Sequence, residues 1–476
     1  MPRVAAAAWL VAALLSSCIA LLQYFGVSGT FSPWINVAPL GEAFGNLRQR
    51  NQFATLTNMG LAVLMFASWR FQHGSSNTHG GPQAQARPIR AVALAAAVAL
   101  LAIANAATLS RTGLVQLLML GLLALVWRPQ TPAQTGRLLG LALLVYVLAS
   151  LLLPSLIGRD PFDNGIGSRF RSPGMPCEGR WLLWRNVVQL ILQKPWSGWG
   201  WGEVSYAHFI TPYPGGRFCD ILDNAHNLPL HLAVVWGIPA ALLICALVAF
   251  VVLRARPWRE TVPPRQLAWA VLALIGVHSM LEYPLWYGPF QIAALLALWM
   301  LWRTRHLAVK VTPVDEAQAQ ANPPPHRQDT TTALMLGCTA IALAGLAYAA
   351  WDYHRVSQIY KAPSLRSSGY RDDTLRKVQG SWLFRNQVRF AVLTLTTVTP
   401  ENAQSLNAMA RQLLHFSPEA RVVEKLIDSD LMLGRLDDAR YYMLRYRRAF
   451  PIAYARWAQG NSHAVPLPEL PPVVEP

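Results

Sequence analysis

Apolar runs near the length that crosses a bilayer recur along most of this 476-residue chain, and nothing else constrains its fold as strongly. In hydrocarbon a segment must satisfy its own backbone N–H and C=O groups, so each run is expected to be a helix. Nine stretches read this way: about 5–25, 52–69, 89–108, 112–127, 137–157, 228–253, 266–284, 287–303 and 332–351. The first has Arg3 before it and small residues at Ser16 and Ser17, which imitates a secretory signal. The spans that follow make it the first membrane helix instead. Several runs are short or carry a polar residue, as tilted or snorkelling helices do. The chain is therefore expected to be an all-α polytopic membrane protein.

Charge orients it. The net charge of +17 invites a nucleic-acid partner, but no nucleic-acid motif accompanies it, so that class is set aside. Alternate short loops carry the basic residues: Arg70, Arg87 and Arg90; Arg128 and Arg137; Arg254, Arg256, Arg259 and Arg265; Arg303, Arg305 and Lys310. By the positive-inside rule these loops are cytoplasmic, the N-terminus is inside, and the C-terminal segment lies in the periplasm of a bacterial inner membrane. The expected organisation is five spans within 1–157, a large periplasmic loop over 158–227, membrane helices over 228–303, a Pro-rich cytoplasmic linker over 304–331, a last span at 332–351, and a helical periplasmic domain over 352–476. Within that domain Leu431–Arg440 resembles the turn of a helical hairpin of TPR-like kind, and the tail after Val465 is expected to be disordered.

The long loop is the unusual object. Cys177 and Cys219 both fall in it, and an oxidising periplasm favours a disulfide between them. Trp181, Trp184, Trp196, Trp199 and Trp201 fit an interfacial belt, and Pro195–Gly202 is expected to be a flexible turn where backbone can approach a ligand. At the loop's end Asp223-Asn224-Ala225-His226-Asn227 precedes a span. A histidine there is often only a polar cap. At a membrane surface beside acidic and amide groups, His226 can also take a proton from a hydroxyl. His231 falls on another helix face and is secondary. Arg111, in LSRTGL, and the loop residues Arg169, Arg171, Arg180 and Arg185 offer planar forks for phosphate, against the alternative of snorkelling or solvated arginines. In the outward turn His278–Tyr287, Glu282 must face water or a partner, either an arginine or the chemistry itself. No P-loop, dinucleotide fingerprint, HExxH or CxxC occurs, so neither ATP hydrolysis nor redox work is indicated. A reaction outside the cell without ATP needs an activated donor, and a sugar on a lipid pyrophosphate fits, with arginines stabilising the leaving charge. A transporter would place its unusual residues near the midplane and in repeats, rather than on one face.

Three segments carry a resemblance: GNLRQRNQFAT from Gly45, HNLPLHLAVVWG from His226 and LEYPLWYGPF from Leu281. Together and in this order they resemble the PglL family, bacterial protein O-oligosaccharyltransferases of the O-antigen ligase and polymerase superfamily. The resemblance implies a helical membrane glycosyltransferase of the C type. It would move a glycan from undecaprenyl pyrophosphate to Ser or Thr of exported proteins such as pilin. It implies His226 as base or proton relay, Arg111 and Arg180 on the pyrophosphate with Arg169 and Arg171 nearby, and Glu282, Tyr283, Asn51, Gln52 and Asp223 in support. No metal or other cofactor is implied. An O-antigen ligase with a lipid A-core acceptor, or a polymerase, would share the donor chemistry. Family members usually carry a few more spans before GNLRQRNQ, where this sequence has one.

Overall fold

The computed structural model describes residues 2–73, 86–128, 133–160, 162, 177, 179–305 and 328–461. Residues 306–327 of the Pro-rich linker, the tail after Val465 and the candidates Arg169 and Arg171 lie outside these residues, while 328–331, read as linker, begin a helix. Every regular element among them is helical. In order they are α1 (Pro2–Tyr24), α2 (Arg50–His73), α3 (Ala86–Ala107), α4 (Arg111–Val126), α5 (Ala133–Leu156), α6 (Arg180–Gln193), α7 (Val204–Ile210), α8 (Leu228–Ala255), α9 (Pro263–Ser279), α10 (Gly288–Arg303) and α11 (Gln328–Ser357). The C-terminal helices follow: α12 (Thr374–Val378), α13 (Arg385–Leu395), α14 (Ala403–Phe416), α15 (Ala420–Met432), α16 (Leu436–Ala449) and α17 (Pro451–Gly460). A helix thus lies at each stretch read as a span. Among the described residues, four segments are long and apolar enough to cross a membrane by themselves: Pro2–Tyr24, Ile89–Ala107, Gln134–Leu156 and Leu228–Arg259. The protein is a multi-pass, all-helical membrane protein.

The chain divides into two units, one of residues 1–176, 226–231 and 242–311, the other of 177–225, 232–241 and 312–476. In the first, α1 to α5, α9 and α10 share one core. Small residues make close packing possible: Ala13 and Ala20 of α1, Ala102 and Ala106 of α3, and Ala142 of α5 are all buried. The outer faces are apolar and uncovered, as with Leu118, Leu122, Leu144 and Leu152, which is the expected dress of a lipid-facing surface.

In the second unit α14 to α16 form antiparallel hairpins, with Gly434 turning α15 into α16 at a φ of +69°. Their amphipathic faces bury Leu406, Leu413, Val422, Leu426, Tyr442 and Tyr446. The short helix α7 of the long loop belongs to the same core: Phe209 is buried in it, Tyr206 stacks on His415, and Arg445 Nε donates to the Ile210 carbonyl at 3.0 Å. His415 Nδ1 lies 2.6 Å from Glu203 Oε2. Cys177 and Cys219 are disulfide-bonded and enclose α6 and α7.

The glycine-rich Pro195–Gly202 turn departs from its sequence reading. Its close approach is to the chain's own backbone. Trp199 N–H donates to Val234 O at 2.8 Å, Gly200 N–H to Val235 O at 3.0 Å, and Ile238 N–H to Pro195 O at 2.7 Å. α8 is broken there at Gly237, whose φ of +83° frees carbonyls that the turn then satisfies. A Cβ at Gly237 would collide with the Trp196 carbonyl. Gly237→Ala is therefore expected to cost about 2 kcal/mol or more through both clash and left-handed strain. Reduced yield and a lower melting temperature of the purified protein would show it, and an unchanged melting temperature would refute the backbone contact.

His208 of α7 is buried, with Nδ1 2.8 Å from the Tyr213 hydroxyl and Nε2 3.1 Å from the Phe218 carbonyl. A neutral ring satisfies both, accepting from Tyr213 and donating to Phe218. Burial, and then the nearby Arg217 charge, push its pKa down to about 3. The unfolded chain therefore takes up a proton near its ordinary value, while the folded one resists until far lower pH. Stability is expected to be full above about pH 6.5 and to fall by roughly 2 kcal/mol by pH 5. Unfolding followed at pH 7 and pH 5 should show that loss in wild type and a smaller one in His208→Gln.

Candidate functional site

Each of the three motifs brings residues to the first unit, HNLPLHLAVVWG by its first six, and each residue type there has a structural task. In GNLRQRNQ, the Gly45 carbonyl accepts from Gln23 Nε2 at 2.9 Å, which ties the motif to the buried end of α1. Asn46 pins the preceding loop, accepting from Asn36 N–H and donating to the Trp34 carbonyl. Gln49 Oε1 caps Gln52 N–H at 2.8 Å, starting α2, and the Gln52 side chain is buried. Asn51 is thereby fixed at the first turn of α2.

In HNLP, Asn227 caps α8 by accepting from Leu230 N–H at 3.1 Å and donates to the Met280 carbonyl at 3.0 Å. Pro229 suits the first turn of α8, where a missing N–H costs nothing. His226 just before it has a φ of +50°. A non-glycine residue held in that region stores strain of order 1 kcal/mol and aims its side chain out of line with the helix. In LEYPLWY, Glu282 closes the turn after α9 by donating its N–H to the His278 carbonyl at 2.8 Å.

These starts place one hydrogen-bonded chain. His226 Nδ1 lies 2.7 Å from Glu282 Oε2, and the carboxylate is 8% exposed. Asn51 Nδ2 donates to Glu282 Oε1 at 3.0 Å, and Asn51 Oδ1 accepts from Ser110 Oγ at 2.6 Å. Ser110 Oγ in turn accepts from Gly113 N–H at 3.0 Å, as the N-cap of α4, whose first residue is Arg111. With the carboxylate accepting, Nδ1 carries the proton and Nε2 is the basic nitrogen. Arg111 is exposed at the positive end of a helix, which favours a negative charge there. The Tyr283 ring meets His226 edge-on at 4.9 Å and stacks on Tyr287 at 5.7 Å, while Trp286 packs edge-on against the buried His231.

Beneath this chain lies a second polar group that the sequence reading did not single out. Thr55 Oγ1 lies 2.9 Å from His278 Nδ1, and Gln116 Nε2 donates to Thr55 Oγ1 at 3.0 Å and to the Leu274 carbonyl at 2.9 Å. Asn58 Nδ2 donates to the Ala54 and Gly113 carbonyls. The available signal was the spacing of Asn51, Thr55 and Asn58, which puts three polar residues on one face of α2. Ser110 was legible only as the residue before Arg111.

The remaining candidates lie in the second unit. Arg180 opens α6 and is half-buried, and Asp223 is exposed three residues before His226. Of the loop tryptophans, Trp184 and Trp199 donate to the Ala225 and Leu190 carbonyls, whereas Trp181, Trp196 and Trp201 present large exposed faces. No group of His, Cys, Asp or Glu able to hold a metal ion occurs among the described residues.

Comparison with known families agrees with the motifs. Residues 43–66 match the family described as protein glycosylation ligase, 96–245 match O-antigen ligase, and 266–464 match the C-terminal part of virulence factor membrane-bound polymerase. In these segments the chain is similar to ligases and polymerases of the O-antigen ligase superfamily, and in residues 43–66 to the protein glycosylation ligases among them. Two curated relatives come from Acinetobacter baylyi. A ComP-specific O-oligosaccharyltransferase is 25% identical over 252 residues, covering 53% of this chain and 42% of the relative. A general O-oligosaccharyltransferase is 27% identical over 114 residues, covering 23% and 19% respectively. The matched segments thus span less than half the length of either relative. No solved structure matches the chain.

Ser110→Ala removes both the α4 cap and the hydroxyl that orients Asn51. It is expected to destabilise the detergent-purified protein by about 1 kcal/mol, with Ser110→Thr restoring most of it. Equal melting temperatures for wild type and Ser110→Ala would rule out this cap as a structural tie.

Proposed function

We propose that this ligase-superfamily member is a protein O-oligosaccharyltransferase of the inner membrane. It moves a glycan from undecaprenyl pyrophosphate to a Ser or Thr hydroxyl of an exported protein such as pilin, on the periplasmic face. The observation that supports the proposal is the His226–Glu282–Asn51–Ser110 chain, in which hydrogen bonds join residues of three separated motifs.

The chemistry follows from the tautomer. The acceptor oxygen attacks the anomeric carbon, and its proton passes to His226 Nε2. The bond from that carbon to the pyrophosphate oxygen breaks, and its electron pair leaves with the lipid pyrophosphate. Glu282 stabilises the imidazolium that forms, and Asn51 keeps the carboxylate in register, as an orienting partner does for any general base. Arg111 supplies a fixed positive charge for the leaving group. Arg180, Arg169 and Arg171 stand as donor-binding candidates on the family resemblance alone.

A second reading keeps the donor and changes the acceptor. The matches to O-antigen ligase and to a membrane-bound polymerase favour a lipid A-core or a growing polysaccharide. Expression in a bacterium without its own ligases, supplied with lipid-linked glycan and a pilin, separates the two. Glycosylated pilin by intact mass is expected with wild type. At matched membrane levels it is expected to drop about a hundredfold or more with His226→Ala, and by about tenfold to a hundredfold with Glu282→Gln or Asn51→Ala. Glycan on lipid A instead would replace the acceptor assignment, and full transfer by His226→Ala would remove the base.

A further inference from the structure

The far end of α4 has a feature the reaction does not use. α4 and α5 run antiparallel and part on their outer side, leaving a groove of about 820 Å³. Its walls are leucines such as Leu118 and Leu122, both more than half exposed. Gly121 and Gly140 keep it open, since a Cβ at either would meet nothing within 4 Å. Arg128 and Arg137, from the facing ends of the two helices, line the same groove. Both are exposed, and neither forms an ion pair with a carboxylate among the described residues. Arg111 opens α4 and Arg128 follows its end, so the two stand about 24 Å apart along the axis. The groove therefore belongs to the leaflet opposite the His226 chain.

An apolar slot on a lipid-facing surface takes an acyl chain, and any lipid offers one. Two guanidinium groups at its mouth discriminate, because they match the oxygens of a phosphate whose charge is not cancelled within its own headgroup. We propose that the α4–α5 groove is a binding site for an anionic glycerophospholipid, its phosphate held by Arg128 and Arg137 and one acyl chain lying between the leucines. The charge complementarity selects the headgroup, and the open glycine floor admits the chain.

The test uses the full chain, purified in detergent and titrated with phosphatidylglycerol or with phosphatidylcholine of identical acyl chains, bound lipid being read by native mass spectrometry. Wild type is expected to retain phosphatidylglycerol in preference. Arg128→Ala with Arg137→Ala should weaken that binding by about thirtyfold while leaving phosphatidylcholine unchanged. Gly140→Leu, whose Cβ would meet no atom within 4 Å, should weaken both lipids. Arg254→Ala with Arg256→Ala removes the same charge elsewhere and should leave the preference intact. The proposal is overturned if wild type binds both lipids alike. It is equally overturned if the Arg254/Arg256 variant loses the preference as fully as the Arg128/Arg137 variant, or if Gly140→Leu binds both lipids like wild type.

Discussion

A buried carboxylate holds the site together. Glu282 is almost removed from solvent, and a charge in that position is tolerable only where hydrogen bonds replace the lost water. Its two oxygens take those bonds from residues far apart in the chain, His226 at the start of α8 and Asn51 at the start of α2. Asn51 passes the constraint on to Ser110 at the start of α4. Three helix beginnings are therefore fixed by one side chain that sits in the turn between α9 and α10. Removing it would leave His226 and Asn51 to find new partners and the helix ends they begin without a common anchor.

This arrangement has a cost written into α2. A helix that presents Asn51, Thr55 and Asn58 along one face loses apolar surface, and α2 is not among the four segments apolar enough to cross a membrane on composition alone. Its polar face is acceptable because it is spent on Glu282, His278, Gln116 and the Gly113 carbonyl rather than on lipid. The least hydrophobic helix of the bundle is the one that carries the polar network. In membrane proteins such helices are the place to look for function.

The helices were legible because hydrocarbon dictates both length and composition: one lies at each of the nine stretches, and among the described residues four segments are long and apolar enough to cross a membrane by themselves. The three motifs were legible as candidates, and His226, Glu282, Tyr283 and Asn51 do come together. Their wiring was not. Which oxygen of Glu282 meets which partner depends on contacts spanning up to 231 residues of sequence, and no local pattern encodes these. Ser110 stood in the sequence only as the residue before Arg111, and nothing local marks its bond to Asn51, 59 positions away. The glycine turn at 195–202 misled for a related reason. Glycine signals that something approaches the backbone closely, without saying whether the visitor is a ligand or, as here, the break at Gly237. The share taken by α7 in the C-terminal core was invisible because Phe209, in a seven-residue helix, finds its partners some two hundred positions downstream.

That shared core has a topological consequence. Between α7 and α13 the chain passes through four apolar helices, α8 to α11. Two aqueous segments can pack together only if an even number of crossings separates them. If all four cross the bilayer, as the sequence reading expects, the core that joins Phe209 to Leu413 and Val422 is a parity check on membrane insertion. A chain in which one of those four helices failed to insert would strand α7 and the C-terminal hairpins on opposite sides of the bilayer. Their apolar faces would then be left uncovered, and the error would be exposed in water, where quality-control proteases act, rather than hidden in lipid.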